Sequence, residues 1–400
     1  MTPKGRNLQL DVLRGVAILL VLCSHAVSLH EHSGWAEPLV KIVQTGGWTG
    51  VDLFFVLSGF LIGGLLFKEI NRDGTLDARR FLVRRAFKIW PVYFVFLAVM
   101  IVRSVRHAPS VWAGVRPLLP NLVHLQNYFG PPELTPWTHT WSLAVEEHFY
   151  LALPLILLAL CRFGKVSWIP AMTLVVALGC LALRLPHWNQ PYTRLLVYTP
   201  THLRADSLFF GVLLAYAYHL RPALLAFVPR ARLALLACGL ALIAPSFIWG
   251  LFTPLAYTIG FTLNYLGYGC ILIACVDARS GILGRTLASP LARVMALIGF
   301  YSYSIYLWHE LAREQIVDHL HSIDRYGAMM YFLMTAIDIV LAIALGFISA
   351  KLIEQPFLML RDRIFPSHTP AGPVALVQPI RMHGTPPVAR PSRPCGTLSK

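Results

Sequence analysis

The chain has 400 residues, of which 56% are hydrophobic and only 13% charged, with a mean hydropathy of +0.60. That excludes an ordinary soluble domain, in which charged residues are about twice as frequent. A net charge of +15 would suit nucleic acid, but in so apolar a chain it reads as the positive-inside bias of a membrane protein, and no nucleic-acid partner is expected.

Apolar runs predict ten membrane spans in chain order, near 10–29, 49–67, 87–102, 142–161, 167–184, 205–219, 233–250, 255–276, 295–312 and 329–350. Lys4 and Arg6 precede the first run as they would in a signal peptide, yet Asp11 and Arg14 interrupt it and no small-residue cleavage site follows Cys23. It reads as a retained span. Between the second and third spans lie Lys68, Arg72, Arg79, Arg80, Arg84, Arg85 and Lys88, and so basic a loop stays in the cytoplasm. An even number of spans then puts both termini there. The expected fold is an all-α integral membrane protein, with residues 1–360 as the membrane domain and 361–400 as a basic, Pro-rich, disordered cytoplasmic tail. No internal repeat is visible, which counts against transporters built from repeated halves. Most of the cysteines (Cys23, Cys161, Cys180, Cys238, Cys270, Cys275 and Cys395) fall within or beside apolar runs, so neither a disulfide framework nor a metal site is expected.

The first span carries Asp11, Arg14 and His25. Arg14 and His25 are eleven residues apart, close to three helical turns, which puts them on nearly one face about 16 Å apart. Asp11, one turn earlier, is placed to pair with Arg14. Such a stripe could simply bind this helix to its neighbours, but ionisable groups inside a span are costly and point to function.

With the termini inside, one layer near the outer face collects His25, Asp52, Glu146, Glu147, Asp206 and His309, a plausible acid/base centre. Within it His25 is the candidate base, with Glu146 as the carboxylate that orients it and Glu147 or Asp52 as substitutes. Asp52, Asp206 and His309 are candidates for holding the acceptor. Near the inner face Arg84, Arg85 and Lys88 lie below Arg14. Arginines at a membrane edge commonly meet lipid headgroups. Continued inward by Arg14, the cluster is also what a multiply phosphorylated ligand needs, and the span from Arg14 to His25 matches an extended pantetheine arm. Ser58 could be a nucleophile, although Ser-Gly in a membrane helix more often marks close packing. Asp338 and Asn264 read equally well as interhelical hydrogen bonds, and His124, His139, His319 and His321 as surface residues of outer loops.

The segments LDVLRGVAILLVLCSH, GVDLFFVLSGFLIGGLL, RRAFKIWPVYF, WSLAVEEHFYLALPL, LRADSLFFGVLLA, IGFYSYSIYLWH and IEQPF, in this order from about residue 8 to 358, resemble the motifs of the membrane acyltransferase-3 family. The resemblance implies a ten-helix O-acyltransferase that takes acyl groups, most often acetyl, from cytoplasmic acyl-coenzyme A. It implies that Arg14 and His25, the R-x10-H pair, are essential. It also implies a functional R-x-x-R pair, which here is Arg85 and Lys88: lysine keeps the charge without the bidentate fork, and Arg84 stands beside it. Some relatives carry a fused esterase-like domain; none is expected here, so the acceptor should be a lipid-linked glycan, a glycolipid or a small amphipathic molecule. The competing class is a proton-coupled transporter or flippase relaying protons through His25, Glu146 and Asp338. Homo-oligomerisation is left open, and in a bacterium the expected location is the cytoplasmic membrane.

Overall fold

The computed structural model describes residues 7–25, 37–131, 135–189, 192–320 and 327–366, without the side chains of 37–40, 315–320 and 327–331. The end of the first predicted span (26–29), His321 and the expected tail beyond residue 366 lie outside the described residues, as does the side chain of His319.

Twelve helices matter for the site. They are α1 (Leu8–His25), α2 (Gly50–Asp73), α3 (Ala78–His107), α4 (Trp141–Arg162), α5 (Ile169–Arg184) and α6 (Ala205–Leu220). The second half has α7 (Val228–Trp249), α8 (Phe261–Val276), α9 (Pro290–Phe300), α10 (Ser302–Leu320), α11 (Gly327–Ser349) and α12 (Gln355–Ile364). Among the described residues there is no strand. Among the described residues eight helices, short linked segments included, are long and apolar enough to cross a bilayer, and nine if the pair Gly281–Leu287 and Pro290–Phe300, bent by 60°, counts as one span. This is a multi-pass membrane protein.

One of the ten predicted spans departs from expectation. The sixth, α6, is short as its expected range requires, with 16 residues. The ninth is split: the Tyr301 N–H closes a short turn on the Ile298 carbonyl (3.1 Å), and α10 restarts with the Ile305 N–H on the Tyr301 carbonyl (3.0 Å). After the break α10 carries His309, Glu310, Arg313 and Glu314, which make it more polar than the long apolar helices. The helix α12 also runs to Ile364, past the expected domain edge at 360.

In lipid there is no hydrophobic drive between helices, so close packing has to hold them. The central helix is α2, buried along most of its length and packed on α1, α6 and α8. Where α2 crosses α6, a Cβ on Gly59 would strike the Leu208 carbonyl and one on Gly211 the Val56 carbonyl, so the two backbones touch. The same device joins α1 to α9, with Gly15 on the Met295 carbonyl and Gly299 on the Asp11 carbonyl. That crossing seats α9 on α1, and the break at Tyr301 lets α10 bring its polar residues to His25 at the end of α1.

Candidate active site

The single layer expected from the sequence resolves into three separate centres.

The first is a cavity of about 280 Å³ between α1, α2, α3, α4 and α10. Arg14, Arg85 and Lys88 line it together with Ser58, Glu146 and Tyr306. Glu146 accepts hydrogen bonds from Ser58 Oγ (2.7 Å) and from the Tyr150 hydroxyl (2.6 Å), and the Arg85 guanidinium lies 5.3 Å from the centre of the Tyr150 ring. Among the described residues no ion pair neutralises Arg14, Arg85 or Lys88. Three cations facing one cavity with a single lining carboxylate leave net positive charge for an anionic ligand. Arg84 is not among them: it turns away to Asp362 (3.1 Å) and the Phe365 carbonyl. Ser58 serves Glu146 and the neighbouring Gly59 serves the α2–α6 crossing, so the Ser-Gly pair divides between polar wall and packing.

The second centre lies at the end of α1. His25 Nδ1 is 2.9 Å from the Val21 carbonyl, and its Nε2 is 3.3 Å from Glu310 Oε1. The carboxylate beside the imidazole is thus Glu310, not Glu146 or Glu147. Arg313 holds the other oxygen, Oε2, through Nε (2.9 Å) and a terminal nitrogen (2.8 Å). His309 is buried beside them, with Nε2 3.6 Å from the same Oε1 and its ring 5.1 Å from that of His25. His139, expected on the surface, is buried: its ring packs 4.8 Å from His309 and its Nε2 bonds the Leu307 carbonyl (3.2 Å). His25 itself does not line the cavity. Tyr306 connects the two centres. It lines the cavity, bonds Ser142 Oγ (2.6 Å) and the His139 carbonyl (2.8 Å), and sets its ring 5.5 Å from His309.

The third centre is structural. Asp52 pairs with Arg204, both 0% exposed, and accepts from Asn264 Nδ2 (3.0 Å). Asp206 pairs with Arg184 (2.7 Å), which also bonds Thr262 Oγ1 (2.9 Å) and the Leu203 carbonyl (3.1 Å). The Arg204 guanidinium lies 3.7 Å from the Phe261 ring centre. These pairs tie α2, α5, α6 and α8 together and give both expected acceptor-binding carboxylates, Asp52 and Asp206, an arginine partner inside the bundle.

The remaining candidates scatter. Glu147 accepts from Trp90 Nε1 (3.2 Å) on α3, away from His25. Asn264 is absorbed by Asp52 and Ser246, while Asp338 is buried on α11. His124 is half-buried with its ring 4.7 Å from Tyr93, so it too is no surface residue. Burial among neutral rings, with His148 nearby, pulls its pKa down to about 4. Sequence reading missed Glu310, His139 and Tyr306. Only Glu310 had a signal, its position directly after His309 and three before Arg313.

The profile of a family described as "Acyltransferase domain" matches residues 7–351. A Staphylococcus aureus (strain COL) protein named "Putative O-acetyltransferase" is 29% identical over 376 residues, which cover 87% of this chain and 56% of that protein. The peptidoglycan O-acetyltransferase OatA of Listeria monocytogenes is 30% identical over 329 residues, 75% of this chain and 48% of the relative. The chain thus spans about half the length of the curated relatives it matches. No solved structure matches it.

Proposed function

The chain belongs to the acyltransferase-domain family, and from that premise we propose that it is a membrane O-acyltransferase moving an acetyl group from cytoplasmic acetyl-coenzyme A to a hydroxyl of a glycan or lipid-linked sugar. One observation carries the reading: an unneutralised cationic cavity shares Tyr306 with a histidine–carboxylate centre. Arg14, Arg85 and Lys88 hold the donor phosphates, Arg85 and Arg14 through planar forks and Lys88 as a point charge. The pantetheine arm runs along α1, whose rise from Arg14 to His25 is about 16 Å, and brings the thioester toward Tyr306.

His25 acts as general base. The Val21 carbonyl fixes the proton on Nδ1, so Nε2 offers its lone pair. Nε2 takes the proton of the acceptor hydroxyl as that oxygen attacks the thioester carbonyl carbon. The carbon–oxygen bond forms, the carbon–sulfur bond breaks, and the coenzyme leaves as a thiolate that is then protonated. Glu310, held by Arg313, stabilises the imidazolium formed in between. Glu146 keeps Ser58 and Tyr150 in place along the donor cavity rather than touching the base. Both termini are cytoplasmic in this reading, and in a bacterium the protein sits in the inner membrane. Relatives named as peptidoglycan O-acetyltransferases make peptidoglycan the first acceptor to test.

Purified protein given acetyl-coenzyme A and a glycan acceptor should release free thiol in step with acetylated product. No thiol above background across candidate acceptors would favour a proton-coupled transporter instead. Arg85→Ala should raise the donor KM by about tenfold, the loss of one charge-assisted contact, with a smaller change in kcat. A kcat effect with unchanged donor KM would remove Arg85 from the donor site.

A further inference from the structure

Beyond acyl transfer, we propose that His25, His309 and Glu310 form a binding site for a divalent transition metal of the zinc class, with Nε2 of each ring and Oε1 of the carboxylate as ligands. The argument starts from the tautomers. A backbone carbonyl can only accept a hydrogen bond, so Nδ1 of His25, 2.9 Å from the Val21 oxygen, carries a hydrogen. The same holds for Nδ1 of His309, 2.5 Å from the Tyr306 oxygen. Each neutral ring therefore presents a lone pair at Nε2.

Both nitrogens lie close to one carboxylate oxygen. Glu310 Oε1 is 3.3 Å from His25 Nε2 and 3.6 Å from His309 Nε2, while Arg313 takes up only Oε2. Three electron-rich atoms thus converge with no hydrogen among them. A proton on His25 would satisfy its contact with Glu310 yet leave the buried Nε2 of His309, which has no hydrogen-bond partner among the described residues, unmatched. One metal ion satisfies all three.

The spacing agrees. Zinc–ligand bonds of about 2.0–2.2 Å set tetrahedral ligands about 3.3–3.6 Å apart, close to the two nitrogen–oxygen separations. One ligand atom from each of the three residues lies within 4.8 Å of the others, and the remaining gap can close at His25, whose side chain is 37% exposed. Two imidazoles and one carboxylate suit zinc, cobalt or nickel better than magnesium or calcium, which favour all-oxygen shells. The Val21 and Tyr306 carbonyls are the outer partners that such imidazole ligands use. Metal and base role compete for the His25 lone pair, so an occupied site would switch transfer off; this consequence, unlike the site itself, rests on the function proposed above.

The test is a Co2+ titration of the full-length protein in detergent, purified without a histidine tag and followed by visible absorption. One equivalent should bind with the intense bands of tetrahedral cobalt, and Zn2+ should displace it. His309→Asn and Glu310→Gln should each weaken binding at least about tenfold, while Cys23→Ser, which removes the thiol two residues before His25, should not. Less than one equivalent bound, or unchanged affinity in either of the first two variants, overturns the site. Because the readout is metal binding, failure of the acyltransfer assay leaves it standing, and its failure leaves the acyltransferase reading untouched.

Discussion

Replacing His25 with alanine is expected to lower kcat for acetyl transfer by about a hundred- to ten-thousandfold, the usual worth of a positioned general base. Insertion and thermal stability should change little, because the side chain is 37% exposed and packs at the end of α1 rather than within it. Donor KM should also stay near wild type, since the cavity holding Arg14, Arg85 and Lys88 does not include His25. That split identifies a group used in the transition state rather than in uniform binding. Glu310→Gln should fall between the two, keeping the hydrogen-bonding shape but losing the charge that stabilises an imidazolium. Turnover by His25→Ala at the wild-type rate would remove the base assignment.

The second large effect concerns stability. Arg204→Ala should destabilise the protein by about 3–5 kcal/mol, since removing one partner of a buried pair leaves an uncompensated charge. Here that charge is Asp52, which is 0% exposed and would keep only Asn264 as a donor. A loss of this size is a large share of the roughly 5–15 kcal/mol that holds a typical domain together. The double variant Arg204→Met with Asp52→Asn should recover at least half of it, because no charge remains to be buried. Thermal unfolding in detergent reads both. If Arg204→Ala melts within a degree or two of wild type, the pair is not the fastening that its burial implies. Residual acetyl transfer by the double variant, measured below its melting point, would then show that Asp52 does not touch substrate.

Much of the architecture was legible because lipid imposes a simple rule on sequence: a spanning helix needs a long apolar run, and most of the predicted runs became helices. That Arg14 and His25 share one continuous helix was legible for the same reason, although only Arg14 lines the cavity. Arg85 and Lys88 line one cavity with Arg14 because one helical turn keeps them on a common face of α3. Arg84, their immediate neighbour, points about 100° away by the same periodicity and finds Asp362 instead. Depth estimates also put Asp52, Glu146, Asp206 and His309 near one level, but depth along the membrane normal says nothing about position within its plane.

What the sequence determined on its own was therefore one-dimensional: which segments cross, which cations lie low on a helix, and which imidazole lies three turns above them. Only the tertiary structure decided partnership. It gave His25 the carboxylate of Glu310 in place of Glu146, locked Asp52 and Asp206 into arginine pairs, and drew His139 from a presumed surface loop into the histidine cluster. The physical reason is that contacts between helices depend on rotation about each axis and on where helices break. Those are set by glycine-mediated backbone contacts such as Gly15 on Met295 and Gly59 on Leu208, and by the interruption at Tyr301, none of which leaves a periodic mark in the chain.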